Sequence, residues 1–366
     1  MKKIVILGST GHIGRQALEI VRAYPKDFKV VGLSANSNKK LLEKQTKEFK
    51  PEAISIGGNN LEKIASIPEA DLVLVSVVGL AGLKPTLAAI KANKNIALAT
   101  KEVLVLAGEL VMAEAKKNKV NIIPVDSEHS AIFQSLQSGK ISEVQRIILT
   151  MGKGRFALMS QKGLDSITLK DIYKNPTWIM GQKITIDSAT CLNKSFEVIE
   201  ARWLFGLPSK KINIVVHPEY LCHSLVEFID GSIVGEFGSQ DMKRYIQYAF
   251  FYPNRAKAAV TDNVDLFNKT ITFEPPPFEK FPGLKLGFDA IKAGGTMPAV
   301  MHGADDEAVE AFIKNKIKFT NIAKVIAVTM NNHQTIKKPN LEEIFKANQW
   351  GKIHAQKIIN QKLYEK

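Results

Sequence analysis

Six short apolar runs, residues 4–7, 30–33, 53–56, 72–78, 96–99 and 122–125, follow one another along the first third of the chain. Between them lie segments such as 15–23, 83–92 and 103–117, whose apolar residues recur at three and four, the spacing of one helix face. A short apolar strand alternating with an amphipathic helix specifies a parallel sheet with crossover helices on its faces. Residues 1–124 are therefore expected to form one doubly wound α/β domain.

The rhythm changes after Val125. Strands are expected at 147–150, 212–216, 224–229 and 232–237, with Asp230-Gly231 as a hairpin turn between the last two. A helix over 191–204 should end near Gly206, where glycine accepts a left-handed cap without cost. This gives an α+β domain over 125–270. Pro275-Pro276-Pro277 and residues 278–282 can continue neither regular structure, so 271–285 reads as a connector. From Leu286 to the end the pattern is helical, with helices expected at 304–314, 321–329 and 341–362, so 286–366 reads as a small helical C-terminal domain.

With 366 residues, 45% of them hydrophobic, the chain can bury more than one core. No apolar run approaches the roughly eighteen residues a membrane span needs. Met1-Lys2-Lys3 followed by residues 4–7 resembles the start of a secretory signal, but the apolar run stops at Gly8 without a small-residue cleavage site, so it stays in the fold. Cys191 and Cys222 show neither metal nor redox spacing, which suits a reducing cytoplasm, and neither is paired with a base. The formal net charge of +14 fits phosphorylated small molecules, and no zinc-finger spacing, aromatic RNA-binding motif or long basic block argues for nucleic acid.

Gly8-Ser9-Thr10-Gly11-His12-Ile13-Gly14 follows the first strand and opens a helix, where backbone N–H groups and the helix dipole can cradle a pyrophosphate in Rossmann-like fashion. Its G-x-x-G-x-x-G spacing differs from the strict G-x-G-x-x-G, and a tight turn without ligand is the competing reading. At the end of the second strand stand Ser34-Ala35-Asn36-Ser37-Asn38-Lys39-Lys40, with no carboxylate to repel a 2′-phosphate. Those donors favour NADP(H) over NAD(H), against the alternative of a polar turn with exposed lysines.

Asp126-Ser127-Glu128 sits directly after the sixth apolar run, at the edge of a parallel sheet where ligands bind. Both carboxylates suit a hard cation, Mg²⁺ or Mn²⁺. Alternatively Asp126 or Ser127 merely caps the helix beginning near His129. Ser188, Asn193, Lys194 and Glu197 form a second cluster, the last three on one helical face. Hydroxyl, amide and ammonium suit a phosphate and Glu197 a metal, whereas the plain alternative is a surface Lys194–Glu197 ion pair, with Glu200 and Arg202 as further solvated charges.

These stretches, with Ala99 to Glu102, residues 124–136, Ile186-Asp187-Ser188-Ala189-Thr190, Asn193-Lys194, residues 197–205, His217-Pro218, His223-Ser224, Asp241-Met242 and Pro253-Asn254-Arg255, resemble the 1-deoxy-D-xylulose 5-phosphate reductoisomerase family. The resemblance covers nearly the whole chain. It implies an NADPH domain, a catalytic domain carrying dimerisation strands, a helical C-terminal domain and a homodimer. It implies NADPH- and metal-dependent rearrangement and reduction of 1-deoxy-D-xylulose 5-phosphate to 2-C-methyl-D-erythritol 4-phosphate, a step in isoprenoid precursor synthesis. Carried over by position, Asp126, Glu128 and Glu197 hold Mg²⁺ or Mn²⁺, and Lys101, Glu128, Lys194 and Glu197 are catalytic. Lys101, Ser127, Glu128, Gly152, Asn175, Ser188, Asn193, Lys194 and Glu197 contact substrate, with Ser188, Asn193 and Lys194 on its phosphate. Thr10, Gly11, His12, Ile13, Asn36, Ser37, Asn38, Thr100, Glu102 and Gly181 contact NADPH, and Trp178 and Met180 fall on the family's mobile loop.

The chain also departs from the family pattern. Gly152 replaces the substrate-binding serine, Asn175 a loop histidine and His12 a dinucleotide-loop serine. Asn36 and Ser37 replace a glycine and a basic residue, and Thr100 and Val103 an asparagine and a serine. His302-Gly303-Ala304-Asp305-Asp306 stands where Asn-Ala-Ala-Asn-Glu is usual. Lys153 or Arg155 is expected to take over part of the phosphate grip. Two other readings remain at this point: a paralogous NADPH oxidoreductase acting on another phosphorylated hydroxyketone, and a catalytically impaired binding or regulatory homologue.

Overall fold

The computed structural model describes residues 1–174 and 181–365. They fall into two compact units that interleave along the chain, one made of 1–103, 109–150 and 219–271, the other of 104–108, 151–218 and 272–366.

The first unit is built on β1 (Lys2–Leu7), β2 (Phe28–Ala35), β3 (Ala53–Ile56), β4 (Leu72–Val75), β5 (Asn95–Leu98) and β6 (Ile122–Pro124). They form a parallel sheet in the order β3-β2-β1-β4-β5-β6. Each expected apolar run became a strand; β1, β2 and β4 are covered on both faces, with Ile4, Ile6, Leu33 and Leu74 fully buried, whereas the edge strand β3 leaves Ile54 and Ile56 exposed. The run 72–78 is cut short at Val75, where the chain turns and Ser76 Oγ donates to Leu7 O at 2.6 Å. Leu7 pairs with Ser34 on one side and Val75 on the other, so three strands end level. The strand order reverses between β1 and β4, and the carboxyl-end crevice at such a reversal is where doubly wound folds bind ligands.

The same unit carries β7 (Val144–Met151) as far as Thr150, and, after β8 (Ile212–Val216) of the second unit, β9 (Cys222–Phe228) and β10 (Ile233–Phe237). β9 pairs antiparallel with both β7 and β10. Asp230-Gly231 makes the hairpin, with Gly231 at φ 87°. The sequence reading missed the helix Met242–Phe251, in which Tyr245, Ile246, Ala249 and Phe250 are buried. Ile246, Ala249 and Phe250 join Ile4, Ile6 and Phe28 in one core, with the Phe28 and Phe250 rings 5.6 Å apart edge to face.

In the second unit the helix Leu192–Phe205 ends at Gly206, whose φ of 65° is the left-handed cap the sequence suggests. Four helices follow, Gly283–Ala293, Met297–Ile313, Asn321–Asn331 and Leu341–Asn360. The first begins ahead of Leu286, with Pro282 at its N-cap, and the second ahead of Ala304, because Pro298 lies in its first turn, where a missing N–H costs nothing. A Cβ on Gly303 would meet Asn348 O at 2.1 Å, and one on Gly351 would meet Val300 O at 2.5 Å, so two glycines let the second and fourth helices cross backbone to backbone. No helix among the described residues is long and apolar enough to cross a membrane.

Candidate active site

In the first unit the glycine loop folds tightly on itself. Gly8 has φ 89°, and a Cβ there would meet Ser76 O at 2.6 Å; a Cβ on Gly14 would meet Gly8 O at 2.3 Å. Gly11 is the N-cap of the helix His12–Ala23 and offers no side-chain cap. The first-turn N–H groups are thus arranged to receive an anion, as the dinucleotide reading requires. Behind the loop, buried Ser9 donates its hydroxyl to Gln45 Oε1 at 2.7 Å, and Gln45 Nε2 donates to Ser9 O at 2.9 Å. At the end of β2, Asn36, Ser37, Lys39 and Lys40 are exposed. Asn38 caps the helix Lys39–Phe49 by accepting from Leu41 N at 3.1 Å. Thr10 and Ile13 are half-buried and His12 exposed, with His12 Nε2 3.2 Å from Gln16 Nε2. The buried Thr100 hydroxyl donates to Val77 O at 2.6 Å and holds the turn after β4; Glu102 beside it is half-buried.

The acidic segment follows β6 directly. Asp126 is the N-cap of the helix Ser127–Ser135 by position, yet its side chain caps nothing. It faces Lys101, whose Nζ is 2.7 Å from Asp126 Oδ2, and His129 Nδ1 lies 3.7 Å from the same oxygen. Burial would push the Asp126 carboxyl up, but Lys101 and His129 more than offset it and hold the group well below the usual carboxylate range. Ser127 Oγ donates to Glu128 Oε2 at 2.5 Å. A carboxylate oxygen of Asp126 and one of Glu128 lie within 4.8 Å of each other. Hard oxygen donors at that spacing, one of them held ionised, fit Mg²⁺ or Mn²⁺.

In the second unit, Lys194 and Glu197 are 4% and 1% exposed, so they do not form a surface ion pair. Lys194 Nζ donates to Glu197 Oε2 and Asn193 Nδ2 to Glu197 Oε1, which fixes both oxygens of one carboxylate. Glu200, read from sequence as a solvated charge, is fully buried, whereas Arg202 is half-buried with its guanidinium 5.1 Å from the Trp203 ring centroid. Ser188 is exposed near the end of the helix Gln182–Ala189, whose N-cap is Gly181. Lys153 Nζ is 2.8 Å from Glu274 Oε1, and Arg155 donates to Asp171 O, so both cations expected on the phosphate are engaged elsewhere. Gly152 is half-buried in the segment after β7. Asn175, Trp178 and Met180 lie outside the described residues. Burial pushes the Cys191 thiol up to about 12 and Cys222 up to about 11, which leaves both inert at neutral pH.

The chain matches the family model described as 1-deoxy-D-xylulose 5-phosphate reductoisomerase over residues 4–60 and 53–108. Two models of that enzyme's C-terminal domains match residues 122–205 and 237–354. The 1-deoxy-D-xylulose 5-phosphate reductoisomerase 1 of Bacillus cereus is 44% identical over 383 residues, covering 99% of this chain and 100% of the relative. The chain belongs to the 1-deoxy-D-xylulose 5-phosphate reductoisomerase family. The family's enzyme from Caldanaerobacter subterraneus subsp. tengcongensis is 46% identical over 366 residues, covering 94% of this chain and 96% of the relative. The solved reductoisomerase from Zymomonas mobilis, in complex with NADPH, superposes with a TM-score of 0.92 at 35% identity, covering 98% of this chain and 99% of that one. A reductoisomerase structure with NADPH, fosmidomycin and magnesium gives 0.90 at 34% identity, covering 98% of each chain.

Most of the residues expected at the site of this reductoisomerase family member fall into three local groups. The glycine loop with 36–38 stands at the carboxyl ends of β1 and β2, Lys101 with 126–128 at the carboxyl ends of β5 and β6, and Asn193, Lys194 and Glu197 on one helix face. His129 was not among the sequence candidates, although it stands three residues after Asp126 at a helix start, a spacing that puts both side chains on one face.

Proposed function

We propose that this chain catalyses the NADPH- and divalent-metal-dependent rearrangement and reduction of 1-deoxy-D-xylulose 5-phosphate to 2-C-methyl-D-erythritol 4-phosphate. The carrying observation is full-length similarity to enzymes of that name, on a fold shared with solved relatives that contain NADPH and magnesium. All the cited relatives carry this one activity name, which disfavours both the paralogue and the impaired homologue.

Asp126, Glu128 and Glu197 are the carboxylates assigned to Mg²⁺ or Mn²⁺, supported by the ionised state of Asp126 and the fixed carboxylate of Glu197. The metal supplies Lewis acidity toward the substrate's oxygens, and NADPH supplies the hydride. Lys101 keeps Asp126 anionic and sets an ammonium at the sheet edge, where it can meet substrate. Ser127 orients Glu128 through its hydroxyl. Lys194 has three donors, so it can hold Glu197 with one and turn another to the substrate phosphate, with Asn193 and Ser188 alongside. Gly152 and Asn175 are assigned to substrate as well. On the dinucleotide side, Thr10, Gly11, His12 and Ile13 take the pyrophosphate, Asn36, Ser37 and Asn38 the 2′-phosphate, and Thr100, Glu102 and Gly181 complete the contacts.

By function the chain divides into an NADPH-binding part, 1–124, a metal and substrate part with dimerisation strands, 125–270, a connector, 271–285, and a helical part, 286–366. The exposed apolar residues Ile229 and Ile233 beside the β9–β10 turn support a homodimer, and the reduced, buried thiols of Cys191 and Cys222 support the cytoplasm.

The test is loss of NADPH absorbance with 1-deoxy-D-xylulose 5-phosphate and Mg²⁺. Turnover should require the metal, stop with a chelator and be blocked by fosmidomycin. Glu128→Gln and Glu197→Gln should each lower kcat about a hundredfold or more while NADPH still binds. Full turnover in a metal-free preparation would sink the proposal.

A further inference from the structure

The helix Gln182–Ala189 has eight residues and no side-chain N-cap. A helix this short does not hold itself in water, so its tertiary contacts decide where it lies. Thr185, Ile186 and Asp187 are buried, whereas Ser188 is exposed. Lys183 Nζ donates to Asp187 Oδ2 at 2.7 Å, one turn along the same helix, and also to Asp305 Oδ2 on the helix Met297–Ile313. The ammonium sits 5.2 Å from the Phe196 ring centroid, on the helix Leu192–Phe205. Asp187 is 4% exposed and Asp305 fully buried, so one cation is clamped between two desolvated carboxylates from two helices. Asp306 is 3.9 Å from Lys183 and is held by Lys352 at 2.8 Å, which leaves Lys183 to serve the inner pair.

We infer that Lys183 is a positioning residue for substrate binding: by joining Asp187 to Asp305 it sets where the short helix presents Ser188 to the substrate phosphate. This rests on the reading of Ser188 as a phosphate contact. Without the ammonium the bridge from Asp187 to Asp305 is gone, and two adjacent buried carboxyl groups must share a proton or move apart. The short helix, without a side-chain N-cap, is the element that yields, and Ser188 is the residue next to Asp187. A displacement of about 1 Å at a binding group is enough to lose much of its effect. Burial with Asp187 beside it raises Asp305 well above the usual carboxylate range, so a neutral side chain of the same shape fits that position.

The experiment compares steady-state constants of Lys183→Met, Asp305→Ala, Asp305→Asn and Ser188→Ala in the full chain, with melting temperatures for each. Lys183→Met and Asp305→Ala should raise KM for 1-deoxy-D-xylulose 5-phosphate at least fivefold and leave KM for NADPH within twofold. Asp305→Asn, which retains an acceptor for Lys183, should recover a substrate KM within twofold of the parent. Asp305→Ala leaves the Lys183–Asp187 pair in place and so tests the idea even where Lys183→Met does not fold. If Ser188→Ala raises substrate KM but neither strap variant does, the role of Lys183 is refuted and that of Ser188 stands. If Ser188→Ala has no effect on substrate KM, the phosphate reading of Ser188 fails and the inference falls with it. Loss of both KM values and kcat in step with melting temperature would show a merely structural lysine and overturn it.

Discussion

Lys101 Nζ lies 2.7 Å from Asp126 Oδ2, an ion pair whose side chains are only 10% and 15% exposed. The two residues follow neighbouring strands, β5 and β6, so the sheet itself sets their separation. Removing one member of such a pair strands the other, at a cost of roughly 3 kcal/mol or more. Lys101→Met should therefore lower the melting temperature by several degrees. If Asp126 binds metal, added Mg²⁺ should restore more stability to this variant than to the parent chain, because the carboxylate regains a cation. Equal Mg²⁺ shifts in the two proteins would count against Asp126 as a ligand.

The glycine loop makes a sharper claim at Gly14, where a Cβ would sit 2.3 Å from Gly8 O and 2.6 Å from Ser9 Cα. Both obstacles are backbone, so the loop must open to admit a methyl group. Gly14→Ala should weaken NADPH binding tenfold or more, about 1.4 kcal/mol. Fluorescence titration of NADPH reads this directly, and an unchanged dissociation constant would mean that the loop does not bind the dinucleotide.

Stability should fall on mild acidification because of His302. Burial, opposed by Asp306 and aided by Lys183, lowers this imidazole from its ordinary 6.5 to about 4. The unfolded chain therefore binds a proton that the folded chain refuses between those two values. Its contribution is full above pH 6.5 and is lost as pH falls toward 4, amounting to about 3 kcal/mol. His302→Asn should flatten this part of a denaturant-melting series between pH 7 and 4. A variant whose stability declines as steeply as the parent's would place the acid sensitivity elsewhere.

Neither thiol should react in the folded protein. With Cys191 pushed up to about 12 and Cys222 to about 11, both buried, a thiol reagent at pH 8 should label neither until the chain is denatured. Rapid stoichiometric labelling under native conditions would contradict this burial.

The parallel sheet was legible because its strands are apolar on both faces, which leaves short unbroken runs such as residues 4–7 and 72–75. The helix Met242–Phe251 was not. Its polar residues are few, and what buries Ile246 and Phe250 is a sheet face built from the other end of the sequence. At the site, spacing alone placed Asn193, Lys194 and Glu197 on one face, but burial could not be read from it. The same limit made Glu200 look like a surface charge, although tertiary neighbours enclose it completely. The joint of Lys183 with Asp187 and Asp305 was not legible at all, because Asp305 is remote along the chain from the other two.

The dinucleotide sheet borrows part of its interior from residues 242–251, and Lys2 Nζ even reaches Phe250 O at 2.6 Å. During synthesis the opening βα repeats therefore emerge long before the helix that covers Phe28. Until that helix leaves the ribosome, the nascent sheet exposes greasy surface to its surroundings, and chaperone capture in that interval should depend on the arrival of Phe250 more than on completion of β6.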